Sequence, residues 1–156
     1  MARDPPPGQC IYVIRVTGDV SIRYPKRVSP TIYIGQGRAR GRIKQHTKWL
    51  APLVMSIPKL GLEVRIAELV RRNNTSLCTH VEADMLAWFQ ARYGVLPWFN
   101  RQRERSKEEH YNYSPEAKQK LRKGYMTGTG NRFSWAITPT KSNPHHDAFS
   151  RGLLAE

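Results

Sequence analysis

One stretch limits the fold of this chain more than any other: Thr31 to His46, TIYIGQGRARGRIKQH. A short apolar run, Ile32, Tyr33 and Ile34, reads as a strand ending at Gly35. A glycine-punctuated turn follows, and then a strongly basic segment that starts a helix. Residues four apart on a helix share a face, so Arg42 and His46 point the same way, with Trp49 one turn further along. Ile43 and Leu50 lie about 100° round the same helix and face the core. A polar stripe beside a buried one is where a binding or catalytic surface forms.

The flanking segments supply the rest of an α+β domain. Cys10 to Val16, CIYVIRV, is β-branched and aromatic, with Tyr12, Ile14 and Val16 on one face and Ile11 and Val13 on the other. Thr17 to Pro30 contains Gly18, Asp19, Pro25 and Pro30 and breaks this strand before residues 31–35 resume it. The simplest topology is a hairpin whose long tip carries Arg23, Lys26 and Arg27. Ala51 to Leu60, with Pro52 and Pro58, reads as a linker or irregular insertion. Leu62 to Ile66 alternates as a third strand, Val64 inward and Arg65 outward. Arg71 to Ser76 reads as a polar turn.

Thr79 is expected to cap a helix running to about Tyr93. Glu82 would complete a capping box, and Val81, Met85, Trp88, Phe89 and Arg92 mark one face. Glu82 therefore has two readings. It either accepts a backbone N–H at the helix start, or lies at the edge of the core stripe as a carboxylate able to hold a divalent cation above the sheet.

After Asn100 the aliphatic residues thin out. Ser114-Pro115-Glu116 opens a short basic helix that stops at Gly124 and carries Lys118, Lys120, Arg122 and Lys123. Arg132 to Ile137 can add an edge strand, and His145-His146-Asp147 reads as a solvated cluster in a polar tail. The expected organisation is a disordered, proline-rich lead-in over 1–9, a domain over 10–100 and a basic extension over 101–156.

Charge decides the class of partner. The 156 residues hold 26 Lys and Arg against 12 Asp and Glu, a formal net charge of +14. Clustered cations gain free energy by releasing the counterions condensed on a polyanion. No Asp or Glu occurs from Val20 to Leu62, the stretch that holds Arg23, Lys26, Arg27, Arg38, Arg40, Arg42, Lys44, Lys48 and Lys59. Such a run reads as one positive face. A membrane is a poorer partner, because the sequence has no long amphipathic helix, no lipidation signal and no long apolar run. Cys10 and Cys78 have no metal-ligand spacing and read as reduced core thiols. Arg3 is followed by Pro5, Pro6 and Pro7 instead of an apolar segment, so a cytoplasmic location is expected.

Tyr33-Ile34-Gly35 resembles the second half of the GIY-YIG nuclease signature, and Cys10-Ile11-Tyr12 stands where the first half would be, without its glycine. Arg42 and His46 resemble the arginine and histidine of that family's first helix. Glu82 resembles its glutamate, and Pro97-Trp98-Phe99-Asn100 resembles its P-x-x-N ending. The resemblance covers residues 10–100. It implies a small central antiparallel three-stranded sheet flanked by helices and metal-dependent hydrolysis of DNA phosphodiesters.

By the same resemblance Glu82 is the ligand of one Mg²⁺ or Mn²⁺, and Arg42 is a donor to the phosphate. Tyr12 is the general base, its phenol helped toward phenolate by nearby cations and the metal. Tyr33 and His46 position the water or relay its proton, and Asn100 holds the arrangement together. Contacts to double-stranded or branched DNA would come from Arg23, Lys26, Arg27, Arg38, Arg40, Lys44 and Lys48, with the C-terminal helix adding its cations. The alternative is a nuclease-derived module that binds nucleic acid without cutting it.

Overall fold

β1, Gln9–Thr17, is the middle strand of the structure, and every residue from Cys10 to Val16 is buried. That explains why its sequence is apolar on both faces and not alternating: a central strand covered on both sides has no polar side to show. In this computed structural model, residues 7–18, 20–57, 60–69, 75–100, 114–127 and 135–137 are described. β4, Thr31–Arg38, and β5, Gly61–Glu68, pair antiparallel with β1 on its two edges, giving the sheet order β4-β1-β5. Between β1 and β4 lie two short strands, β2 (Val20–Arg23) and β3 (Val28–Ser29), which form an antiparallel pair. β6, Trp135–Ile137, adds to β2 in parallel and makes a second small sheet. The segment between the long strands is thus a folded hairpin of its own instead of an extended tip.

Several boundaries differ from those read in the sequence. β4 does not end at Gly35 but runs to Arg38, and α1, Ala39–Ser56, follows directly. The change of direction falls at Gly37, whose φ of 126° suits glycine far better than any L side chain. α1 also absorbs most of the expected linker, with Pro52 inside it. A proline there lacks one helical N–H and disfavours the turn before it. The buried stripe of His46 and Leu50, prolonged by the partly buried Leu53 and Val54, outweighs that penalty.

α2, Thr75–Tyr93, starts a turn earlier than expected. Its apolar stripe begins at Cys78, continues through Val81, Met85 and Phe89, and needs the extra turn to present Cys78 to the core. Thr79 therefore lies inside the helix, and the capping-box reading of Glu82 falls.

α1 covers the sheet face that carries Tyr12, Ile14 and Tyr33. The opposite face carries Ile11, Val13 and Arg15, and there the C-terminal helix docks. α3, Pro115–Gln119, is capped by Ser114, whose Oγ accepts the Ala117 N–H at 3.1 Å. It passes into a π-helical stretch, Lys120–Met126, that continues through Gly124 instead of stopping there. Its last carbonyls are gripped by the sheet. Arg65 donates to the Gly124 carbonyl, Ser29 and Thr31 donate to that of Met126 at 3.1 Å each, and Arg15 donates to that of Thr127 at 3.2 Å. Arginines at a helix C-terminus also complement its dipole. Arg65, expected outward, instead faces this helix, and Leu121 and Met126 are buried in the common core. A bulge makes the grip work: Ile14 pairs with Tyr33 but Arg15 pairs with Thr31, skipping Ile32. Thr31 and Arg15 consequently share a face.

Cys10 and Cys78 are buried and unbridged, as expected. No described helix is long and apolar enough to cross a membrane. The lead-in up to residue 6, residues 101–113 of the extension, and the tail with His145-His146-Asp147 lie outside the described residues.

Candidate active site

The site forms on the α1 side of the sheet, toward the end where β1 begins and β4 runs into α1. Gln9 pairs with Arg38 and Tyr12 with Gly35 across that end. Tyr12 and Tyr33 stand on neighbouring strands with ring centroids 6.0 Å apart and planes at 28°. They converge over Gly35. A Cβ at that position would lie 2.6 Å from Tyr33 Cε1 and 2.7 Å from Tyr12 Oη, closer than carbon atoms tolerate. Glycine is thus required at residue 35 by the two rings and not by a turn.

From the helix above, His46 closes the cluster. Its Nε2 is 2.9 Å from the Tyr12 hydroxyl, and its ring lies 4.5 Å from that of Tyr33, centroid to centroid. Burial, joined by the nearby positive charge of Arg42, lowers the His46 pKa from 6.5 to about 4. The imidazole is therefore neutral near pH 7 and can accept a proton from the phenol. Its other nitrogen, Nδ1, is buried without a hydrogen-bond partner.

Tyr12 itself is almost fully enclosed, at 0 % exposure. Burial, reinforced by Tyr33, pushes its pKa well above the ordinary phenol value, and Arg42 opposes this only in part. The expectation that neighbouring cations favour phenolate is met in direction by Arg42 but outweighed by desolvation. Arg42 is exposed on the first turn of α1. Burial pulls its pKa down, yet the summed action of Tyr12, Tyr33 and Glu82 leaves it above its usual value. Among the described residues, Glu82 is the carboxylate whose charge acts on Arg42, and it is only 5 % exposed. Its charge also reaches Cys78, whose thiol is pushed up to about 11, first by burial and then by Cys10 and Glu82. Cys10, in the position of the missing glycine, donates its S–H to the Gly37 carbonyl at 3.1 Å and leaves the strand pairing intact.

Asn100 sits apart from the phenols and does something different. Its Oδ1 accepts the Ile34 N–H at 2.9 Å and its Nδ2 donates to the Ile34 carbonyl at 2.8 Å. Just before it, the Phe99 N–H donates to the Ile32 carbonyl at 2.9 Å. The Pro97–Asn100 turn therefore closes the open edge of β4 as a further strand would, and fixes the strand that holds Tyr33.

Among the described residues no group of three or more His, Cys, Asp or Glu side chains could cage a metal. Glu82 offers one hard oxygen ligand, and its charge is felt by Arg42. That suits a cation which keeps most of its shell as water and phosphate oxygens, as Mg²⁺ does.

The basic residues divide. Arg38 at the N-cap of α1 and Arg40, Lys44 and Lys48 on the helix are exposed around Arg42, and no acid lies in the first turn of that helix. Lys26 and Arg27 are exposed at the β2–β3 turn, where Lys26 Nζ donates to the Ala91 carbonyl at 3.1 Å, at the end of α2. Arg23 is half-buried beside them. Lys120 and Lys123 are exposed, whereas Arg122 is half-buried with its guanidinium 6.0 Å from the Trp88 ring. Lys118 is also half-buried. The C-terminal cations belong to a helix docked on the far sheet face, not on the face that carries Tyr12.

An apolar groove of about 350 Å³ opens beside His46, lined by Ile14, Leu50, Val54, Leu62 and Val64 with Met55 at its mouth. Sequence reading missed one feature of the site: Trp49 contacts Phe99 at 4.4 Å and His46 at 5.2 Å, tying the site to the Pro97–Asn100 turn. Trp49 lies on the Arg42–His46 stripe, which is the only signal the sequence offers for it. Compared with known proteins, the chain matches no protein-family model, no curated protein and no solved structure.

Proposed function

We propose that this chain is a metal-dependent endonuclease of the GIY-YIG type, hydrolysing phosphodiester bonds in DNA. The observation that carries the reading is the hydrogen bond between Tyr12 and a neutral, buried His46, with Arg42 beside it. A phenol bonded to an imidazole that is neutral at pH 7, with Nε2 open as an acceptor, is a two-step path for a proton leaving water. In the proposed reaction a water at Tyr12 gives a proton to the phenol oxygen as the phenol proton passes to His46 Nε2. The resulting hydroxide forms a new P–O bond, the bond from phosphorus to the leaving oxygen breaks, and that oxygen takes a proton from solvent. Arg42 donates to the non-bridging oxygens, where a planar guanidinium suits the growing charge. Glu82 would hold the Mg²⁺ or Mn²⁺, which supplies Lewis acidity at the phosphate when bound.

The exposed cations of α1 supply sequence-independent affinity for the DNA backbone. α1 starts with Arg38, Arg40 and Arg42 at the positive end of its dipole, without a side-chain cap. That is a favourable place for phosphate.

One observation favours a second reading, a binding module that does not cut: burial holds the Tyr12 phenol firmly protonated. Incubation with supercoiled plasmid, in Mg²⁺ or in EDTA, separates the two. Nicked or linear product that requires both metal and Glu82 supports the nuclease. Salt-sensitive binding without product, from both the native protein and Glu82→Ala, supports the module. Near-full cleavage by Arg42→Ala or Glu82→Ala would sink the residue assignment, because loss of one such donor lowers the rate by about a hundredfold or more.

A further inference from the structure

The Pro97–Asn100 turn carries an indole in an unusual setting. Trp98 is 45 % exposed, and with Met55 it is one of two large apolar side chains left exposed among the described residues. One side of it rests on Phe99, centroids 5.1 Å apart and planes at 28°. Phe99 in turn lies against Trp49, and Trp49 meets His46 edge-on. A continuous aromatic ladder therefore leads from an open indole to the histidine bonded to Tyr12.

Nor is the indole loosely held. The backbone N–H groups of Trp98, Phe99 and Asn100 donate to Tyr24 Oη at 3.1 Å, to the Ile32 carbonyl at 2.9 Å and to the Pro97 carbonyl at 2.9 Å. Tyr24, 1 % exposed, begins the turn that presents Lys26 and Arg27 to solvent, and its hydroxyl donates to the Thr31 carbonyl at 2.6 Å. A rigid aromatic plate tied through Tyr24 to the turn that carries exposed cations combines the two requirements for holding an unpaired nucleotide: a surface for the base and a counter-charge for its phosphate. A base that remains paired inside a duplex cannot lay its face on such a plate.

We propose that Trp98 is a stacking platform for an unpaired base, and that the preferred nucleic acid is a DNA duplex with a bulged nucleotide. This rests on the nucleic-acid reading given above but not on cleavage. The test is binding in EDTA, followed by fluorescence anisotropy, of a labelled duplex and of the same duplex carrying a bulge of unpaired thymines. The native protein prefers the bulged duplex. Trp98→Ala loses between about fivefold and about a hundredfold in affinity for the bulge, the size of one base–aromatic stack, and nothing for the paired duplex. Trp98→Phe keeps most of the preference. Trp98→Leu, which still covers Phe99 but has no π-face, loses it as alanine does. The proposal is overturned if the native protein shows no preference, if Trp98→Leu binds the bulge as the native protein does, or if Trp98→Ala weakens both duplexes equally. A bulged duplex that is bound with this preference but stays uncut in Mg²⁺ would remove the catalytic reading and leave this one standing.

Discussion

Acidification is the perturbation that probes the centre of this site most directly. In an unfolded chain an imidazole gains its proton near pH 6.5, whereas His46 in the folded chain does so only at about 4. Between those values the unfolded chain binds one more proton than the folded one, so acid draws protein out of the folded state. The contribution of His46 to stability is full above about pH 6.5, falls as the pH is lowered, and is lost by about pH 4. With His46 only 8 % exposed, little solvent screening intervenes, and the shift corresponds to about 3 kcal/mol. Urea unfolding of the native protein and of His46→Gln, at intervals from neutral pH down to the acid limit, isolates the effect. The other ionisable groups are common to both proteins and cancel in the difference, whereas glutamine keeps a polar partner for Tyr12 but cannot take a proton. The native protein should lose about 3 kcal/mol more than His46→Gln over this window. Parallel curves would show that His46 is not held neutral by its surroundings, and the proton path from Tyr12 would go with it.

Three further outcomes follow from the geometry. Gly35→Ala drives a methyl into both tyrosine rings, with contacts under 3 Å; it should cost about 1–3 kcal/mol by overpacking and disturb the Tyr12–His46 bond, which thermal unfolding and the plasmid assay would register together. Asn100→Ala removes two hydrogen bonds to Ile34 and should lower stability by about 2 kcal/mol in urea titrations, and Asn100→Asp should be at least as damaging, because it sets a carboxylate against the Ile34 carbonyl. Arg40→Gln takes a cation from the positive end of α1; it should stabilise the free protein by up to about 1 kcal/mol while reducing the salt dependence of DNA binding by about one phosphate contact.

The sequence showed the components of the fold more clearly than their limits. Apolar or alternating runs marked all three long strands, and the Arg42–His46 spacing set the shared face of those two side chains, because periodicity is a local property. The end of α1 was hidden by Pro52, a local helix breaker overridden by burial of Leu50 and its neighbours on the same stripe. The start of α2 was hidden by Thr79 and Glu82, whose types fit a capping box but whose positions are set by Cys78 packing a turn earlier. Nothing in the sequence indicated that Arg15 and Arg65 would face a helix. That grip depends on a bulge and on carbonyls far along the chain, neither of which leaves a periodic trace. The site divides in the same way. The residues were legible one at a time, but the role of Gly35 as the floor under two rings, and of Asn100 as a substitute strand edge, exists only once the strands are paired.

Placed together, these features describe a resting site balanced toward neutrality on one side and toward positive charge on the other. Tyr12 is protonated and His46 is not, so the buried pair carries no charge at neutral pH. Arg42, by contrast, is held charged at the rim, beside the exposed Arg38 and Arg40. In the proposed reaction an arriving phosphate would meet the rim first, because the rim offers charge and exposure. Its negative charge would then compensate the field of Arg42, which is one of the two influences that keep His46 from accepting a proton. Binding of the anion would therefore raise the basicity of His46 at the moment Tyr12 has a proton to give. The same Arg42 would hold the phosphate and gate the proton, which is why its loss should lower the rate by more than its contribution to binding.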